Sequence, residues 1–159
     1  MNQRNSVYQK TEIIITRWMA RNGIPILRIS IGIIYIWFGV LKFFEGASPA
    51  ESLAIRTISV LTFDLFADEV IITGLAILET VIGAGLVSGL FLRGTLLLLY
   101  LQLIGTFTPI LIFPGEVFTG FPFGLTLEGQ YIVKNLITAG AGIVLGATVR
   151  GGKIVTTEA

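Results

Sequence analysis

The sequence predicts an all-α integral membrane protein, an antiparallel four-helix bundle with a short interfacial helix on its outer side. Three observations carry that expectation. Hydrophobic residues fill 53% of the 159 positions and charged ones only 13%, with a strongly positive mean hydropathy, more apolar surface than a soluble chain of this length can bury. Four apolar runs reach the roughly 20 residues needed to cross a hydrocarbon core about 30 Å thick. Lys and Arg divide unevenly between the two sides of those runs.

The runs cover residues 24–44, 70–92, 94–113 and 130–149. They organise the chain as an N-terminal segment (1–23), a transmembrane domain (24–150) and a tail (151–159). Within the N-terminal segment, residues 11–19 are apolar but too short to span. With Arg17 and Trp18 they fit an interfacial helix on the cytoplasmic surface. The first run makes a poor signal peptide and is expected to remain in the mature protein, because its polar leader and its apolar core are too long and Lys42 and Glu45 follow with no small-residue cleavage site. Beyond it, Ser48, Pro49, Ala50 and Glu51 fit a capping box with proline at the first helical position, and Leu53, Ile55, Ile58, Leu61 and Leu65 continue at helical spacing. That is the short outer helix. Only Arg93 and Gly94 separate the second run from the third, which forces an antiparallel hairpin. The stretch 114–129, with Phe118, Phe121, Phe123, two prolines and several glycines but no basic residue, fits an ordered cap at headgroup level or a lid over a site between the helices.

Charge sets the expected orientation. One side carries Arg4, Lys10, Arg17, Arg21, Arg28, Arg93, Arg150 and Lys153. The other has Lys42 and Arg56, with Lys134 just inside the fourth run, and collects Glu45, Glu51, Asp64, Asp68, Glu69, Glu116 and Glu128. Both termini are therefore expected in the cytoplasm of a multi-pass protein of the cell membrane. A net charge of +1 with no basic block points away from nucleic acid. Cys and His are both absent, which removes disulfide exchange, structural zinc, iron–sulfur ligation and histidine-held haem from this chain acting alone. No metal or covalent cofactor is expected.

Polar residues inside apolar runs are the candidate site. A charge at the bilayer centre costs about 2.5 to 3.5 kcal/mol on insertion scales, so it persists when paired, hydrated or useful. In the first run Arg28, Gly32, Tyr35, Gly39 and Lys42 recur at intervals of four and three, one stripe that must face the other helices. Glu79 and Gly83 share a face of the second run; Thr95, Gln102, Thr106 and Pro109 of the third; Asn135, Thr138, Gly142 and Gly146 of the fourth. At 1.5 Å per residue, Lys42 lies at the outer rim, Lys134 and Asn135 about 6 to 8 Å in, Glu79 about 13 Å in and Gln102 about 16 Å in. Lys42, Glu79, Gln102, Lys134 and Asn135 thus form the candidate binding set, with Glu79 paired to Lys134 or to Lys42. Arg28, near the opposite boundary, is expected to snorkel to lipid phosphates.

The run from Ile31 through Gly39 and Lys42 to Phe44, the glutamate Glu79, and the Gly129-Gln130-Tyr131-Ile132-Val133-Lys134-Asn135-Leu136 stretch leading to Gly146 and Arg150 resemble the DoxX-like family of small four-helix membrane proteins. The resemblance covers about residues 27–152. It implies association with a quinone or with membrane redox subunits, and carries over Gly39, Lys42, Glu79, Lys134 and Asn135. Three functions are consistent with these residues. One is a site for a quinone or similar amphipathic molecule, with Glu79 as proton acceptor. Another is an accessory or assembly subunit, in a redox complex or a homo-oligomer, whose polar cluster only fixes helix register. The third is a small-solute or ion pathway.

Overall fold

A computed structural model describes residues 3–152, with side chains from residue 8 onward. The expected tail beyond Gly152, with Lys153, and the side chain of Arg4 lie outside the described residues. Four helices are long and apolar enough to cross a membrane, spanning Tyr8–Leu41, Asp68–Ser88, Leu92–Ile112 and Leu127–Gly151.

The first element, α1 (Gln3–Leu41), is one continuous helix of 39 residues. The segment 11–19 is its N-terminal part and not a separate interfacial helix. Pro25 sits inside it without ending it, although a proline there removes one backbone donor. At 1.5 Å per residue the helix is about 58 Å long, roughly twice a hydrocarbon core. Every side chain from 8 to 21 is exposed, so packing with the rest of the chain begins only beyond that point.

The short helix α2 (Glu51–Leu61) begins later than the capping box requires. Ala50, in a left-handed conformation (φ 59°), precedes it, and the Ser48 hydroxyl donates to the carbonyl of Pro49 and not back to the helix. Leu53 and Thr57 bury one face of α2, which touches the next spanning helices.

Next comes α3 (Asp68–Ser88), with Asp68 and Glu69 in its first turn, where carboxylates complement the helix dipole. It ends at Gly89, whose left-handed φ of 73° lets its N–H return to the Gly85 carbonyl. The turn therefore falls at residues 89–91, and Arg93, expected in the turn, lies inside α4 (Leu92–Phe107). Thr108 and Pro109 interrupt the third span, and a short helix α5 (Pro109–Ile112) completes it. The stretch after it folds into α6 (Pro114–Val117) and a hairpin of β1 (Phe118–Gly120) on β2 (Gly124–Leu125), a small strand pair in a chain expected to be wholly helical. Val117 is fully buried beneath the hairpin, while Phe121 and Phe123 are exposed.

The last span, α7 (Leu127–Thr148), starts earlier than the apolar run because Thr126 caps it. The Thr126 hydroxyl accepts from the Gly129 N–H at 3.0 Å and donates to the Glu116 carbonyl at 2.6 Å. A single 3-10 turn (Val149–Gly151) follows.

Ile31 and Tyr35 of α1, Ile82 and Leu86 of α3, Leu96, Leu99 and Leu103 of α4, and Ala141 and Leu145 of α7 form the main core. A smaller one joins Leu53, Val117 and Ile132. Outward, Ile33, Ile34, Trp37, Leu97, Leu101, Ile104, Ile137 and Ile143 are all exposed. An apolar surface on every spanning helix is what lipid solvates and water does not.

Glycines set the closest approach. A Cβ on Gly83 would stand 2.6 Å from the Gly32 carbonyl oxygen and 2.7 Å from the Ile36 nitrogen; one on Gly39 would stand 2.7 Å from the Thr80 hydroxyl and 2.8 Å from its nitrogen. Backbone therefore meets backbone along the α1–α3 seam.

Candidate functional site

That seam brings the polar stripe of α1 against α3. Lys42 follows the last residue of α1, and its ammonium donates to Glu79 Oε2 at 2.6 Å and to the Phe38 carbonyl at 3.4 Å. The cation thus sits at the negative end of the helix dipole and on a carboxylate at once. Both side chains are only 9% exposed. Gly39, one turn back, provides the space: any side chain there would push away the α3 turn that carries Glu79.

The third helix completes the network. Gln102 of α4 donates from Nε2 to Glu79 Oε1 at 3.3 Å and to the Thr106 hydroxyl at 3.0 Å, and its Oε1 accepts from the Tyr35 hydroxyl at 2.9 Å. Its orientation follows from its neighbours, because the carboxylate can only accept and the phenol needs an acceptor. Thr106 passes its own proton to the Gln102 carbonyl at 3.0 Å. Three helices are joined through one carboxylate, each of whose oxygens accepts one of these hydrogen bonds.

Of the candidate residues, Lys42, Glu79 and Gln102 are brought together. Lys134 and Asn135 make their contacts on their own helix: the Lys134 ammonium stands 5.6 Å from the Tyr131 ring centroid, and Asn135 donates to the Tyr131 carbonyl at 3.0 Å. Of the two lysines expected as alternatives, Lys42 is the partner of Glu79. Tyr131 itself meets Phe38 edge-on at 6.4 Å, so this face of α7 adjoins α1 beside the network. Tyr35 and Thr106 are the members that the candidate set left out. Both lie at helical spacing from charged or amide members, seven before Lys42 and four after Gln102, and that spacing is the signal that finds them.

Arg28 also differs from expectation. Its guanidinium donates to the Leu86 carbonyl at 2.7 Å and packs on Gly89, so it caps the end of α3 rather than reaching outward to phosphate. Elsewhere Arg56 of α2 pairs with Glu116 of α6 and stacks over Phe113 at 5.2 Å, an exposed contact that ties these short elements together.

Chemically, the network offers a proton acceptor (Glu79), a cation (Lys42) with one N–H beyond its two bonds, and a phenol. It can hold a proton, and it can present donors to a carbonyl. No protein-family model, curated protein or solved structure matches this chain.

Proposed function

We propose that this chain is a multi-pass protein of the bacterial inner membrane, an antiparallel four-helix bundle of the DoxX-like kind, whose Lys42–Glu79–Gln102–Tyr35 network binds the headgroup of a quinone-class molecule. The observation that carries this reading is a buried ion pair extended by an amide and a phenol, placed where the last turn of α1 meets α3 and α4. A carbonyl oxygen would take the remaining Lys42 N–H, the Phe38 and Tyr131 rings would flank the headgroup, and Glu79 would exchange a proton with it. Lys134 and Asn135 lie on the adjoining face and would join as further donors. Binding and proton exchange are all that is assigned to this chain; electron transfer would fall to a redox subunit associated with it.

A second reading rests on a specific observation, that each network side chain already has a partner within the fold. It makes the chain a non-catalytic accessory subunit whose network fixes helix register.

Quantifying quinone extracted from protein purified in mild detergent, before and after adding a short-chain quinone, separates the two. Bound quinone is expected for wild type, with at least a ten-fold loss (about 1.4 kcal/mol) in Glu79→Gln, which keeps the shape and an acceptor oxygen but cannot exchange the proton. Absence of binding in wild type after the addition would leave the accessory reading. Topology is tested separately: reporter fusions are expected to place both termini and Arg93 in the cytoplasm and the vicinity of Arg56 and Phe121 outside. A terminus labelled from outside intact cells would contradict that orientation.

A further inference from the structure

Two arginines share a cleft whose lining includes no member of the Glu79 network. Arg93, in the first turn of α4, and Arg150, in the 3-10 turn after α7, line a cleft of about 470 Å³ together with Leu96, Gly146 and Val149. Both arginines are exposed, and neither forms an ion pair with a described residue. Arg28, by contrast, is committed to the Leu86 carbonyl. Arg150 has φ 67° and ψ 27°, a left-handed conformation uncommon outside glycine, and with it the chain leaves the helix beside the start of α4.

The rest of the cleft is apolar, and it is shallow and open to the surface. Leu96 is buried, Val149 half-buried, and Gly146 presents no side chain; a Cβ there would find its nearest neighbour, Leu96, 3.9 Å away. One turn deeper the α4–α7 seam is closed, because Tyr100 lies against Gly142 and donates to the Ala139 carbonyl at 3.1 Å. A ligand can therefore rest at this mouth but cannot thread between the helices. Two unpaired guanidinium groups above an apolar floor, at the ends of two spanning helices, complement an anionic phosphate that carries a hydrocarbon chain.

We propose that this cleft binds the phosphodiester headgroup of an anionic phospholipid, gripped between Arg93 and Arg150, with the glycerol and the start of an acyl chain on Leu96 and Val149. This site is independent of any quinone at the Glu79 network. The apolar floor favours the lipid over a free phosphate ester, which would gain nothing from it.

The test is native mass spectrometry of the full chain taken from vesicles of phosphatidylcholine with phosphatidylglycerol, for wild type and the Arg93→Gln/Arg150→Gln variant. Wild type is expected to retain one phosphatidylglycerol, in preference to phosphatidylcholine, and the double variant to lose it at least ten-fold. Arg56→Gln, changed on α2, is expected to retain it as wild type does. Millimolar glycerol phosphate should leave the lipid in place. Equal retention by the double variant, or equal retention of phosphatidylcholine, overturns the proposal, and displacement by glycerol phosphate reassigns the cleft to a soluble phosphate ester. Should the glutamine variant lose melting temperature, Arg93→Ala and Arg150→Ala taken singly give the reading, each expected to weaken retention several-fold, with no change in either counting against the site.

Discussion

Glu79→Ala is expected to destabilise the protein by about 3 to 5 kcal/mol, the usual cost of removing one member of a buried ion pair. The substitution leaves the Lys42 ammonium, 9% exposed, with only a long bond to the Phe38 carbonyl, and strips Gln102 of one acceptor. In a membrane the stranded cation must snorkel outward or draw in water, and either pulls the end of α1 away from α3. Glu79→Gln keeps the shape and an acceptor oxygen, so its loss should be smaller. Unfolding titrations in mixed micelles measure both. Equal stabilities for wild type and the two variants would mean that the carboxylate contributes nothing to the fold.

Gly83→Val is expected to cost about 3 kcal/mol, the upper end of what overpacking does, because its first added carbon meets backbone. A Cβ at residue 83 would lie 2.6 Å from the Gly32 oxygen and 2.7 Å from the Ile36 nitrogen, and neither can rotate aside. Relief comes only by parting α1 from α3, which also lengthens the Lys42–Glu79 contact. The control is Gly74→Ala on the same helix, where nothing lies within 4 Å of the added carbon and the better helix former should be neutral or stabilising by up to about 1 kcal/mol. Similar melting temperatures for Gly83→Val and Gly74→Ala would rule out the close seam.

The same seam explains what the sequence could and could not disclose. Glu79 stands out in any reading, because a carboxylate in the middle of an apolar run demands a partner. Which lysine answers it was not legible: counting residues sets Lys134 nearer to Glu79 in depth than Lys42, yet Lys42 makes the contact, because depth is all that counting supplies. Choice falls to lateral position, set by Gly32, Gly39 and Gly83, which draw α1 onto α3, whereas Lys134 lies over its own neighbour Tyr131.

Boundaries failed for a related reason. Arg93 and Gly94 looked like the turn because they interrupt hydropathy, yet hydropathy records the solvent and not the backbone. Gly89 ends α3 three residues before Leu92 begins α4, and Arg93 is simply a charged residue in a helix. The Ser48-x-x-Glu51 pattern misled in the same way: the box needs Glu51 at the third helical position, and it is the first. Residues 11–19, apolar but too short to span and carrying Arg17 and Trp18, suggest a separate interfacial helix, yet they continue into the span through Pro25, because one proline removes a single hydrogen bond and a long helix tolerates that. The four spans themselves were legible because apolar length is a property of composition alone.

The most direct measurement of the Lys42–Glu79 pair is a double-mutant cycle in micelles using Lys42→Met, Glu79→Met and the combination. Each single change leaves one uncompensated charge, and the double change replaces both by apolar groups of similar size. The expected result is two destabilised single variants and a double variant recovering much of the loss, with a coupling energy of about 2 kcal/mol. Additive losses, with coupling below about 0.5 kcal/mol, would contradict a buried pair joining α1 to α3.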